Sequence, residues 1–261
     1  MIKAKIMKKI LLFGSFLLFL LLFCESPEAV SIISVDEAKI RLSITPGSAK
    51  SGSINIDNPT GDSKYIRVYL EDWYYLPSAD GSKEFKPAGT TEFSCANWIS
   101  FAPAEFNLAP YGRQVVHYTV KVPKDAKAGH YAILFFEHTR PPGTPVGKGV
   151  DVGVAIRVGT LMYIEPEGTI DRSAKLYNLL VERESSEDEL IVSLDFKNTG
   201  NVDLTAAGSF DIIDKAGMVF ARGEFNPVYT FANDKAKFIG SWSLPLNKGT
   251  YDLIITIDII Q

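Results

Sequence analysis

Cysteine is nearly absent from this chain: Cys24 and Cys95 are the only two. Cys24 ends an apolar leader, so the remainder carries a single thiol and no internal disulfide, and its stability has to come from burial. Histidine is almost as scarce. His117, His130 and His138 are the full set, and none is spaced with another His, Cys or acidic residue on one face as a metal site requires. His138 follows Glu137 directly, so on a strand the two point to opposite faces and form no acid–base pair. Cys95, between Ser94 and Ala96, has no nearby base to lower its pKa. These absences leave no catalytic residues to name, no metal and no cofactor, and the chain is not read as an enzyme. A basic surplus is missing as well: 27 Lys and Arg stand against 31 Asp and Glu, which argues against a nucleic-acid partner.

Long apolar runs are missing too, with one exception. Lys3, Lys5, Lys8 and Lys9 precede an apolar stretch over 10–23, and Glu25, Ser26, Pro27 and Glu28 break it. This is the pattern of a cleaved signal peptide, residues 1–31. As a helix the run would cover roughly 21 Å of a ~30 Å bilayer core, so no stable membrane span is expected. Ala29 and Ser31 offer the small residues that a signal peptidase reads. A lipid anchor at Cys24 is the alternative, although Phe23 is a poor residue to precede one. Removing 1–31 takes away four basic and two acidic residues, which moves the net charge from −4 to about −6.

Sustained 3.6-residue periodicity is lacking after residue 31, whereas strand-like runs recur between turn signals. The expected strands are 39–44, 51–57, 65–75, 113–122, 130–138 and 151–164, then 176–182, 190–197, 208–213, 219–223, 237–243 and 250–260. A break at 166–170 divides them into domains 32–165 and 166–261, an all-β pair of sandwiches. The halves echo each other: Ile54-Asn-Ile-Asp-Asn-Pro-Thr-Gly61 is similar to Leu194-Asp-Phe-Lys-Asn-Thr-Gly200, each a strand running into an Asn- and Gly-containing turn. Trp73 reads as a sandwich core residue. Residues 76–93, rich in Ser, Gly, Lys and Pro, read as a mobile loop without chemical signature.

One run carries the functional reading. From Val150 the sequence Val-Asp-Val-Gly-Val-Ala-Ile-Arg-Val158 alternates strictly, so Val150, Val152, Val154, Ile156 and Val158 line one face of a strand. It follows Arg140-Pro-Pro-Gly-Thr-Pro-Val-Gly-Lys-Gly149, which cannot be regular structure. An apolar strand emerging from such a segment points to a partner strand. Burying four branched side chains would contribute about 6–12 kcal/mol against an association cost of about 4–15. Main-chain hydrogen bonds along an edge would have to supply the rest.

Six features of the first half, taken in order, resemble the amino-terminal domain of PapD-like periplasmic pilus-assembly (fimbrial) chaperones. They are Ser34-Val-Asp36 with Lys39, Gly52-Ser-Ile-Asn-Ile-Asp-Asn58, Tyr65-Ile-Arg-Val-Tyr-Leu-Glu-Asp-Trp73, Ile99-Ser-Phe-Ala-Pro103, Phe106-Asn-Leu-Ala-Pro-Tyr-Gly-Arg-Gln114 and Gly129-His-Tyr-Ala-Ile-Leu-Phe-Phe136. The resemblance implies two immunoglobulin-like β-sandwich domains in tandem. It implies that the strand at Val150 is lent to an incomplete pilin-like or other surface-structure subunit, in the periplasm. It further implies that two basic side chains in the interdomain cleft hold the client's terminal carboxylate. Lys39 stands where one belongs. The other would be a Lys near Thr160 and is missing, with Arg157 and Arg41 as imperfect substitutes. A periplasmic or surface structural module that binds its partner without donating a strand is the alternative.

Overall fold

The computed structural model describes residues 33–139, 156–184, 189–243 and 249–260. The signal segment with Cys24, and the valines at 150, 152 and 154, lie outside the described residues. Among those described, no helix is long and apolar enough to cross a membrane.

Among the described residues, ten strands precede residue 167: β1 (Ser34–Val35), β2 (Lys39–Ile44), β3 (Ala49–Asp57), β4 (Lys64–Tyr75), β5 (Lys83–Pro87), β6 (Ile99–Ala102), β7 (Glu105–Leu108), β8 (Arg113–Lys121), β9 (His130–Thr139) and β10 (Ile156–Pro166). They form two sheets, β1-β3-β8-β6 and β2-β10-β9-β4-β5, with β7 paired to β4. Period-2 patterning explains the arrangement, because each strand sends alternate apolar residues inward. Ile54, Ile56, Val116 and Val120 are buried from one sheet, and Ile66, Val68, Leu134, Phe136, Met162 and Ile164 from the other.

Six more strands follow among the described residues: β11 (Ala174–Glu184), β12 (Glu189–Asn198), β13 (Leu204–Ile213), β14 (Val219–Thr230), β15 (Lys235–Trp242) and β16 (Asp252–Ile260). Their sheets, β11-β12-β15 and β14-β13-β16, enclose Val192, Leu194, Phe196, Phe210, Phe225 and Phe238. The chain is all-β, a pair of immunoglobulin-like sandwiches.

The two echoed turns have the same internal support. Asn58 donates its amide to Asp62 O and Ala109 O and accepts from Thr60 N; Asn198 donates to Val202 O and accepts from Gly200 N. Both side chains are buried, so each Asn substitutes for backbone partners that its turn lacks.

The sandwiches meet through aromatic rings. Trp73, Tyr75, Tyr131 and Tyr163 from the first pack with Phe231 and Tyr229 from the second, and Tyr131 stacks on Phe231 at 4.4 Å between ring centroids. Trp73 is core, 1% exposed, and its Nε1 donates to Ala132 O. The Tyr131 hydroxyl accepts from Asp203 N at 2.6 Å, while Gly129 N donates to Asn201 O and Tyr229 N to Ala79 O.

Residues 76–93 are not a structureless loop. They contain β5, which pairs with β4 from Tyr75↔Lys83 to Glu71↔Pro87. The buried Asp72 carboxylate fastens the turn beyond β5, accepting from Thr90 N and Thr91 N at 2.8 Å each and from Ser94 Oγ at 2.6 Å. Turn residues on both sides of a five-residue strand mask the alternation.

Candidate strand-pairing edge and basic cleft

Strand β10 has two halves with different neighbours. Over Leu161–Ile164 it lies between β9 and the parallel β2, and the pairing with β2 runs in register from Leu161↔Lys39 to Pro166↔Ile44. Over residues 156–160 it pairs with β9 alone, from Ile156↔His138 to Thr160↔Leu134. Among the described residues no strand pairs with the other side of that half. The changeover falls at Thr160: its Oγ1 donates to Glu37 O at 2.6 Å, and Leu161 N donates to Ala38 O. A neutral hydroxyl here, in place of the expected lysine, closes the approach to β2. Thr160 is 0% exposed, a position where an ammonium group would need a partner.

Burial tracks the pairing. Met162, Tyr163, Ile164, Glu165 and Pro166 are consecutively buried, whereas Ile156 and Val158 are only partly so. Alternation ends past Gly159 because both faces are covered there, as expected for a strand enclosed on two sides. Ile156 and Val158 lie opposite His138 and Phe136, on the face that leads to the first core. The valines at 150, 152 and 154, which share their parity, are outside the described residues.

The other face of β10 looks onto the aromatic cluster, and the basic residues gather there. Arg41 is committed. Its Nη1 and Nη2 donate to Asp203 at 3.0 and 2.8 Å, and Nη1 also donates to Glu165, which pairs with Arg172 as well. Burial alone would lower the guanidinium pKa, but Asp203 and Glu165 outweigh it and hold the group above its ordinary value. Arg157 is committed too. It donates to Glu71 at 3.0 Å and Tyr69 at 3.2 Å, with its guanidinium 4.0 Å from the centre of the Phe135 ring. Neither arginine is left over to receive a ligand.

Lys39 differs. Its Nζ lies 4.6 Å from the centre of the Tyr163 ring. Burial, then repulsion from Arg41, lowers its pKa. Lys83, on β5, sits over the neighbouring rings, 5.4 Å from Tyr75 and 5.7 Å from Trp73. Its Nζ donates to Gly81 O at 2.9 Å. Burial, then the charge of Lys39, lowers its pKa as well. The two ammonium groups share one aromatic shelf, feel each other's charge, and have no carboxylate at ion-pair distance among the described residues. Burial pushes the Tyr163 hydroxyl up to about 12, so the shelf itself stays neutral. Sequence reasoning misses Lys83 because it lies in a segment whose composition reads as a loop; the alternation of Lys83, Phe85 and Pro87 is the available signal.

The remaining polar candidates are structural. His130 sits between Ser94 O at 3.2 Å and Lys127 O at 3.0 Å. Cys95 is fully buried, and that burial, with the charge of Asp72, raises its thiol pKa well above the ordinary value. Such a thiol is inert. Among the described residues no His, Cys, Asp and Glu side chains group as metal ligands.

No protein-family model matches this sequence, and no curated protein does. Among solved structures, the chain is similar to a chaperone–tip adhesin complex of CFA/I fimbriae biogenesis, at 13% identity and TM-score 0.49, over 88% of this chain and 98% of that one. It is similar to the YadV chaperone at 10% identity and TM-score 0.47, over 88% and 100%. A third is the Salmonella enterica SafA pilin in complex with the SafB chaperone, at 12% identity and TM-score 0.43, over 81% and 85%.

Proposed function

We propose that this chain is an exported, periplasmic chaperone-like protein that holds an incomplete surface-structure subunit by pairing a strand with it. One observation carries the reading: β10 is paired on both sides over Leu161–Ile164 and on one side only over residues 156–160. An extended edge of this kind supplies main-chain donors and acceptors to a foreign strand, and alternate apolar side chains supply the fit. By the parity of the sequence, Val150, Val152 and Val154, with Ile156, are the residues assigned to meet the client. The client's terminal carboxylate is received by Lys39 and Lys83, neither of which has a carboxylate at ion-pair distance among the described residues, although Asp203 and Glu165 act on Lys39 from farther off.

Affinity capture of the exported protein tests this. The expected result is recovery of a small β-rich subunit in about one-to-one ratio. Val152→Asp is expected to abolish recovery while leaving the unfolding midpoint unchanged. If Val152→Asp instead unfolds the first sandwich, the valine face belongs to its own core and the reading fails. Association with bulk envelope material and no discrete subunit would favour the structural-module alternative.

A further inference from the structure

The second sandwich leaves one flank uncovered. β14 lies against β15 after the short turn at 231–234, so β11 and β16 form the opposite flank, each paired on one side only among the described residues. On β16, Leu253, Ile255 and Ile257 face the core and are partly buried. Ile259, opposite Ala206 on that same face, is 40% exposed. On β11, Leu176 and Val181 stand opposite the buried Phe196 and Val192, yet are 47% and 50% exposed. The outer face of β16 adds Ile254 and Ile260. Edge strands are normally protected by lysine, proline or a bulge. β16 has no Lys, Arg or Pro, and its register with β13 runs unbroken.

We propose that β16 pairs antiparallel with β16 of a second copy, about a twofold axis through Thr256. The strand is self-complementary in this register. All nine residues pair: Leu253 meets Ile259 and Ile255 meets Ile257 on the core side, while Ile254 meets Asp258, Asp252 meets Ile260 and Thr256 meets Thr256 outside. Residues directly opposite share a face, so the two cores become continuous beneath one sheet. Neighbouring registers that keep the apolar faces together are worse. Centring on Ile255 sets Asp252 against Asp258, and centring on Ile257 leaves Asp252 and Leu253 without a partner inside β16. Charge therefore selects the same register as apolar matching. The contact is isologous and closes as a dimer, and it leaves the edge at 156–160 and the Lys39–Lys83 shelf untouched.

Sedimentation velocity of the full chain over a dilution series tests this, with Thr256→Lys and Ile254→Lys as variants and far-UV circular dichroism as the folding control. The wild type is expected at twice the chain mass, dissociating on dilution. Thr256→Lys sets two lysines against each other at the axis and is expected to raise the dissociation constant by roughly fivefold or more. Ile254→Lys sets each lysine against Asp258 of the second copy and is expected to tighten the dimer roughly two- to fivefold at low salt, an effect that fades as salt rises. A wild type that stays at the chain mass overturns the proposal. So does a dimer that Thr256→Lys leaves intact, or one that both variants weaken alike.

Discussion

Arg41 and Lys83 are both cations near the same rings, but their surroundings set them different tasks. Arg41 neutralises two buried carboxylates, Asp203 and Glu165, at 5% and 7% exposure. Arg41→Ala leaves both without that partner and is expected to cost about 3–5 kcal/mol in denaturant unfolding. Lys83 satisfies no acid, so Lys83→Ala is expected to change stability by under about 1 kcal/mol. Its effect belongs in binding. Because Lys39 and Lys83 have lowered pKa values in the folded chain, they lose their protons at a lower pH than an ordinary lysine. Below those pKa values both are charged and a carboxylate is held in full. As pH rises through them the hold is lost, while the unfolded chain keeps its protons longer, so stability does not fall with it. Titration calorimetry of a strand peptide with a free carboxyl end, against its amide twin, is expected to show a preference for the free acid that disappears on the alkaline side before the ordinary lysine range. An unchanging preference across that range would remove these two groups from the site.

At the scale of elements, β10 explains what is legible in the sequence and what is not. Within the described residues, the alternation of Ile156 and Val158 and its collapse after Gly159 correspond to a strand that passes from one-sided to two-sided pairing. Lys39 to Ile44 stands out by the same alternation and is β2 over those residues. Two things are not readable. The partners of Arg41 and Arg157 lie 162 and 86 residues away in sequence, and no local pattern announces contacts at such separations. β5, at five residues, is shorter than the windows over which alternation outweighs turn composition. Gly159 is a further consequence of close packing: a Cβ there would come within 2.7 Å of Ile133 Cδ1 and 2.9 Å of Phe135 Cδ1. Gly159→Val is expected to cost about 1–3 kcal/mol and to weaken client capture by displacing β10 from β9. Unaltered stability and capture would show that the strand tolerates a side chain on its cleft face.

For the whole molecule, the two sandwiches are joined by an aromatic cluster and a buried ion network, with the joining rings also forming the shelf under Lys39 and Lys83. The elements that hold the halves together thus also position the cleft beside the open stretch of β10. The account depends on that stretch having unpaired backbone before a client arrives. Amide hydrogen exchange over residues 156–160, measured with and without captured subunit, tests this most directly. The predicted result is faster exchange than in residues 161–164 of the free chain, with strong protection gained on capture. Equal protection of the two stretches in the free chain, unchanged on capture, would contradict it.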